Sequence, residues 1–263
     1  MVLAAVAART DAADVSTGGN VELQVAALNA LHDLSLTPEQ LRTLRGLVAP
    51  VADPTASEPA AKGSDAYQAA LKSLRDAIIA GDAQKAADAE QKVDQLRADE
   101  HLDVVTTVPI TDSARQKSAD ALKLLTASQI AGYLGDRGDE VPDAAQTIDD
   151  AMDDSRGKSD ADYAAIRDEA ADQVALLMCG LDKTKESDQV RQQVDDLLER
   201  AHQLTDAKYK KQHGELDTQA RKLVGDLDAF AALRNWMQRE MADLLSNPEL
   251  PAMIDAQLAH PEQ

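Results

Sequence analysis

Apolar residues recur along this chain at spacings of three and four, the mark of helices that bury one face. Val21, Val25, Leu28 and Leu31 form the first such stripe, and Leu41, Leu44, Leu47 and Val48 the second, which Pro50 stops. From Ser64 a longer face runs through Tyr67, Ala70, Leu71, Leu74, Ala77 and Ile78. Gly81-Asp82 interrupts it, and Ala86, Ala89, Val93 and Leu96 resume it. One kinked helix and two separate helices fit that pattern equally. Helical spacing returns over residues 112–124, and another helix is expected from Ala127 to about Leu134, ended by Gly135 and Gly138. A short acidic helix is expected from Ala144 to Asp154, and a longer one after Ser159, with Tyr163, Ile166, Ala170, Val174, Leu177 and Leu181 inward. Val190, Val194, Leu197, Ala201 and Leu204 continue the pattern. It fails at Lys208 and Lys211 and restarts in a new phase at Leu216. That shift across His213-Gly214 predicts a hairpin of two long helices, with one bent helix as the alternative.

Between these stripes the chain carries connectors. Pro50, Pro54, Pro59 and Gly63 punctuate residues 50–63. The longest β-prone run, Val104 to Val108, ends at Pro109. With so little strand signal, the fold class is all-α, a multi-helix bundle of about seven to nine helices with a C-terminal long helical hairpin.

Two helix starts carry every local device. In Leu36-Thr37-Pro38-Glu39-Gln40-Leu41, Thr37 is the expected N-cap and Pro38 occupies the first helical position. Gln40 reaches back to the Thr37 amide, and Leu36 with Leu41 closes a hydrophobic staple. Leu125-Thr126-Ala127-Ser128-Gln129-Ile130 repeats the arrangement without the proline.

Two Leu-Thr-x-x-Gln boxes separated by a long polar helix resemble the LTXXQ family, periplasmic all-helical proteins of the Spy and CpxP type. The resemblance rests on Leu36, Thr37, Gln40, Leu125, Thr126 and Gln129 and covers roughly residues 20–136. It implies an LTXXQ-like helical unit over 20–136, periplasmic location, and an ATP-independent chaperone acting as a cradle-shaped homodimer on unfolded client proteins. The boxes would be structural, not catalytic. The chaperone members are basic and rich in Arg and Met, whereas this chain is strongly acidic, and residues 137–263 have no counterpart in the resemblance. That second part reads as an acidic segment followed by the hairpin.

Charge narrows the partners. The formal net charge is −20, and half of it falls between Asp136 and Asp188. Nucleic acids and anionic lipid surfaces would be repelled. Solubility is one consequence of such a surface, and attraction for cations or for basic or unfolded proteins is the other. No stretch approaches the apolar length of a membrane span. Residues 1–19 read as a flexible lead-in, in which the small-residue run Val2 to Ala8 fits the trailing end of a secretory signal or a simple small-residue tail.

Candidate chemistry is sparse. Cys179, the one cysteine, lies in an apolar run and reads as a buried thiol. Glu199-x-x-His202 has the spacing of a bundle metal pair, but a di-metal site needs two such pairs and the chain has one. Asp149, Asp150, Asp153 and Asp154 put several carboxylates on one helix, without the loop of an EF-hand. No cofactor, metal site or catalytic set is assigned. The sequence therefore reads as an exported, non-enzymatic helical binding protein. Its alternatives are a structural helical spacer and a metal-binding bundle acting as a sensor.

Overall fold

The computed structural model describes residues 20–48, 63–102, 109–137, 142–182 and 184–259. Twelve helices and no strand occur among the described residues, so the all-α multi-helix expectation holds, with more and shorter helices than the seven to nine expected. Residues 1–19, most of the 50–63 connector and the Val104–Val108 run lie outside the described residues.

The helices sort into two compact units, one of them discontinuous in sequence: residues 1–109 with 244–263, and residues 110–243. The sequence expectation placed residues 20–136 together, so the fold divides the chain elsewhere. The first box falls in one unit and the second box in the other.

The first unit contains α1 (Val21–Asp33), α2 (Pro38–Leu47), α3 (Asp65–Ile79), α4 (Ala83–Glu100) and, from far along the chain, α12 (Leu250–Leu258). Helices α3 and α4 are separate elements packed as a hairpin, which settles the question left open at Gly81-Asp82. Gly81 takes a left-handed φ of 66°, a conformation that a β-carbon disfavours, and Asp82 then caps α4. Tyr67, Leu71, Leu74, Ala89 and Val93 pack with Val21 and Val25 of α1. Leu250, Met253 and Ile254 of α12 are fully buried, and α12 packs against α1 and α2.

A polar chain ties these distant segments. Gln24, 2% exposed, donates from Nε2 to Glu249 Oε2 at 3.0 Å and accepts at Oε1 from Arg75 Nη1 at 3.0 Å. Glu249 Oε1 accepts the Asn20 amide at 3.0 Å, and Asn247 Nδ2 donates to the Leu23 carbonyl at 2.9 Å. Each buried polar atom along this path thus has a partner, the condition under which burying it is tolerable.

The second unit contains α5 (Asp112–Leu122), α6 (Ala127–Arg137), α7 (Ala144–Asp154), α8 (Asp160–Cys179), α9 (Lys185–His202), α10 (Asp206–Val224) and most of α11 (Ala229–Ser246). Helices α7 to α10 pack on one another around Ile148, Met152, Val174, Leu177, Val194, Leu198 and Leu216. The expected C-terminal hairpin is present as α9 and α10, but its turn is Gln203–Thr205 and not His213-Gly214. Helix α10 runs through Gly214 without a break because Tyr209, Leu216 and Ala220 keep a single buried stripe. The chain breaks next at Gly225, with φ 60°, before α11. Helix α6 likewise passes through Gly135 to Arg137, beyond the expected end. A glycine within a helix costs only about 1 kcal/mol, which packing overrides.

Candidate functional site

A grouping of ionisable side chains lies where α7 faces α10. On α7, Ile148, Ala151 and Met152 enter the core, so the same turns set Asp149 and Asp153, four residues apart, on the flank toward α10. Helix α10 answers with Tyr209, His213 and Asp217, also at intervals of four. Tyr209 donates its hydroxyl to Asp153 Oδ1 at 2.7 Å. His213 Nε2 lies 3.1 Å from Asp149 Oδ1 and 3.9 Å from Asp153 Oδ1. The Tyr209 ring meets the imidazole edge-on at 5.2 Å. Arg156, just past α7, covers the Tyr209 ring at 4.7 Å and donates to the Ala201 carbonyl and to Asp206.

The polar accounts here do not close. Asp149 Oδ1, His213 Nε2 and Asp217 Oδ1 are buried atoms with no hydrogen bond. The 3.1 Å Asp149–His213 approach is close enough for an ion pair, but its N–H direction is off line, so it counts as charge contact only. Burial raises the Asp149 carboxyl above the ordinary aspartate range. His213 opposes that rise, and the neighbouring Asp217, Asp153 and Asp150 add to it. Burial, followed by the bond to Asp153, also pushes the Tyr209 hydroxyl well above its usual range.

A second grouping explains Glu199-x-x-His202. Both side chains turn toward Tyr163 of α8: its hydroxyl donates to Glu199 Oε2 at 2.9 Å, and His202 stacks on its ring at 4.0 Å. His202 Nδ1 sits 3.2 Å from the Ser155 carbonyl. The pair is occupied by packing rather than presented as ligands. Among the described residues no group of three His, Cys, Asp or Glu is placed to hold a metal ion.

Both boxes form capped helix starts. Gln40 N–H donates to Thr37 Oγ1 at 3.3 Å, and the Thr37 amide donates to Gln40 Oε1 at 2.8 Å. Gln129 N–H donates to Thr126 Oγ1 at 3.3 Å, and the Thr126 amide to Gln129 Oε1 at 2.9 Å. Leu125 is buried, Leu36 half-buried and both threonines exposed. These six residues organise local backbone, three in each unit. Cys179 is half-buried, and burial raises its thiol away from the reactive thiolate form.

Sequence reasoning missed Tyr209, His213 and Asp217 because it placed a turn at His213-Gly214. The available signal was their four-residue interval, matched by Asp149 and Asp153 on α7. No helix among the described residues is long and apolar enough to cross a membrane. Comparison with family models, with curated proteins and with solved structures returns no match to this chain.

Proposed function

We propose that this chain is a non-enzymatic helical binding protein that recognises basic partner proteins by charge. The observation that carries this reading is the contrast between its surface and its charge. Among the described residues Phe230 is the one exposed large apolar side chain, at 80%, while the chain carries a net charge of −20. A protein that grips clients through greasy surface needs a contiguous apolar patch. Long-range attraction of cationic partners needs only a field of one sign, and it weakens as salt screens it.

The two capped boxes support kinship with the LTXXQ proteins, and through it a periplasmic holdase role. Their placement in separate units weighs against a Spy-like cradle spanning residues 20–136. The homodimer enters through the resemblance alone. The export reading rests on residues 1–8, which lie outside the described residues. A purely structural role is the rival, and the scarcity of exposed large apolar side chains among the described residues favours it.

Light scattering separates these readings. Reduced lysozyme, a basic unfolded client, and reduced α-lactalbumin, an acidic one, are each aggregated with equimolar protein at low salt and at about 0.5 M salt. The expected result is suppression for the basic client only, lost in salt. No effect on either client supports the structural role, and equal, salt-insensitive suppression of both supports an apolar holdase.

A further inference from the structure

We infer that the corner between α10 and α11 is the seat of a homodimer, in which Phe230 of one copy docks against the same corner of a second. Leu223, Val224, Leu227, Leu233 and Trp236 flank that corner in sequence, each half-buried, and Phe230 stands 80% exposed. Leu223, Val224, Leu227 and Trp236 rest on the core of this unit, so the ring rises from an apolar ledge. Its backbone is held in place. The Ala232 amide donates to the Asp228 carbonyl at 2.9 Å and the Phe230 amide to Asp228 Oδ1 at 3.2 Å, which fixes the first turn of α11. Docking then orders only the torsions of the ring itself, a small entropic cost.

Charge selects the occupant. Two chains of net charge −20 approach most easily where the meeting face is locally balanced. Residues 222–234 meet that condition: Lys222 and Arg234 oppose Asp226 and Asp228, and all four are exposed. Among the described residues no ion pair occupies any of the four, whereas the adjoining Arg221 is already paired with Asp217 on its own helix. A two-fold contact sets a patch against its own copy. A patch of one sign then repels itself, while a patch of both signs can set each acid against the copy's base. The acidic face of α7, with Asp149, Asp150, Asp153 and Asp154, fails that condition. Arg234 follows Phe230 by one helical turn, so it flanks the ring on the same side of α11. A cationic client would find two free acids here, answered by two bases. This dimer is distinct from the cradle that the LTXXQ resemblance implies, because residues 20–136 end well before the corner. It does not depend on which partner proteins the chain binds.

The test is sedimentation equilibrium of the full chain from about 5 to 200 µM, in about 0.15 M salt. The wild type should approach twice 28.1 kDa at the upper end, and the emission of Trp236, the one tryptophan, should shift to the blue as it does. Phe230→Ser should raise the dissociation constant at least about tenfold, as loss of an aromatic anchor does. Its urea midpoint should not move, because the ring is exposed in the monomer. Arg234→Glu makes the corner net negative and should also weaken association; it serves if Phe230→Ser fails to fold. Added salt should tighten the dimer by screening like charges, the reverse of its effect on a client held by charge. A wild type that stays at 28.1 kDa throughout overturns the homodimer, as does a Phe230→Ser dimer as tight as the wild type. A monomeric wild type whose suppression of reduced lysozyme aggregation is lost in Phe230→Ser overturns it too, and assigns the ring to a client.

Discussion

Gln24→Leu is the sharpest probe of how the first unit is held together. Leucine has nearly the same volume but removes both bonds made by a 2%-exposed amide, to Arg75 and to Glu249. A hydrogen bond to a charged group contributes about 1.5–3 kcal/mol. Neither ion is stranded: Arg75 keeps Asp76 at 2.8 and 2.6 Å, and Glu249 keeps the Asn20 amide. The lower end applies to each bond, giving about 3 kcal/mol, and the added apolar burial returns about 1 kcal/mol. The expected net loss is about 2 kcal/mol. Urea unfolding read by helical circular dichroism sees both units, whereas Trp236 fluorescence sees the unit of residues 110–243. The shift should therefore appear in circular dichroism and exceed any shift in fluorescence. A double-mutant cycle with Glu249→Gln should return a coupling of about 1 kcal/mol. A loss below about 0.5 kcal/mol with no coupling would refute the argument, because the amide would then not join the two distant segments.

Thr37→Ala should cost about 1 kcal/mol in the circular-dichroism transition, from the lost cap at the start of α2, and an unchanged midpoint would contradict the cap. Leu198→Ala, at a fully buried position in the second core, should cost about 2–5 kcal/mol and move the Trp236 transition. The Glu100 carboxyl is held below its ordinary range by bonds from the Ser64 hydroxyl and amide. Its contribution to stability is thus present above the unfolded carboxylate range and is lost as pH falls through the lower folded value. Glu100→Gln should flatten the acid limb of the first unit's pH–stability curve; an unaltered limb would remove Glu100 from the account.

Local chemistry was legible wherever a side chain bonds its own helix. Thr37, Ser64, Thr126 and Ser159 all accept an early amide, and all could be read from the residue type before an apolar stripe. Thr205 starts α10 with no side-chain cap bond, so the turn at Gln203–Thr205 left only a faint mark. The α7–α10 junction was hidden for a different reason. An i, i+4 run of Tyr, His and Asp looks like a lapse in hydrophobic pattern until a facing acidic helix is known. Gln24 and Glu249 stand 225 positions apart, and no periodicity within either segment encodes that pairing. The division into units followed the same logic, since it is made by the return of α12 and not by any change of composition at residue 136.

That return has a consequence for biosynthesis. A ribosome releases residues 110–243 before Leu250, Met253 and Ile254, so the later-encoded body has all its parts while the earlier one still lacks a wall. Until α12 emerges, the parts of α1 and α2 that pack against it stay uncovered, and the nascent chain is most vulnerable to sticking or to proteases in that earlier-made unit.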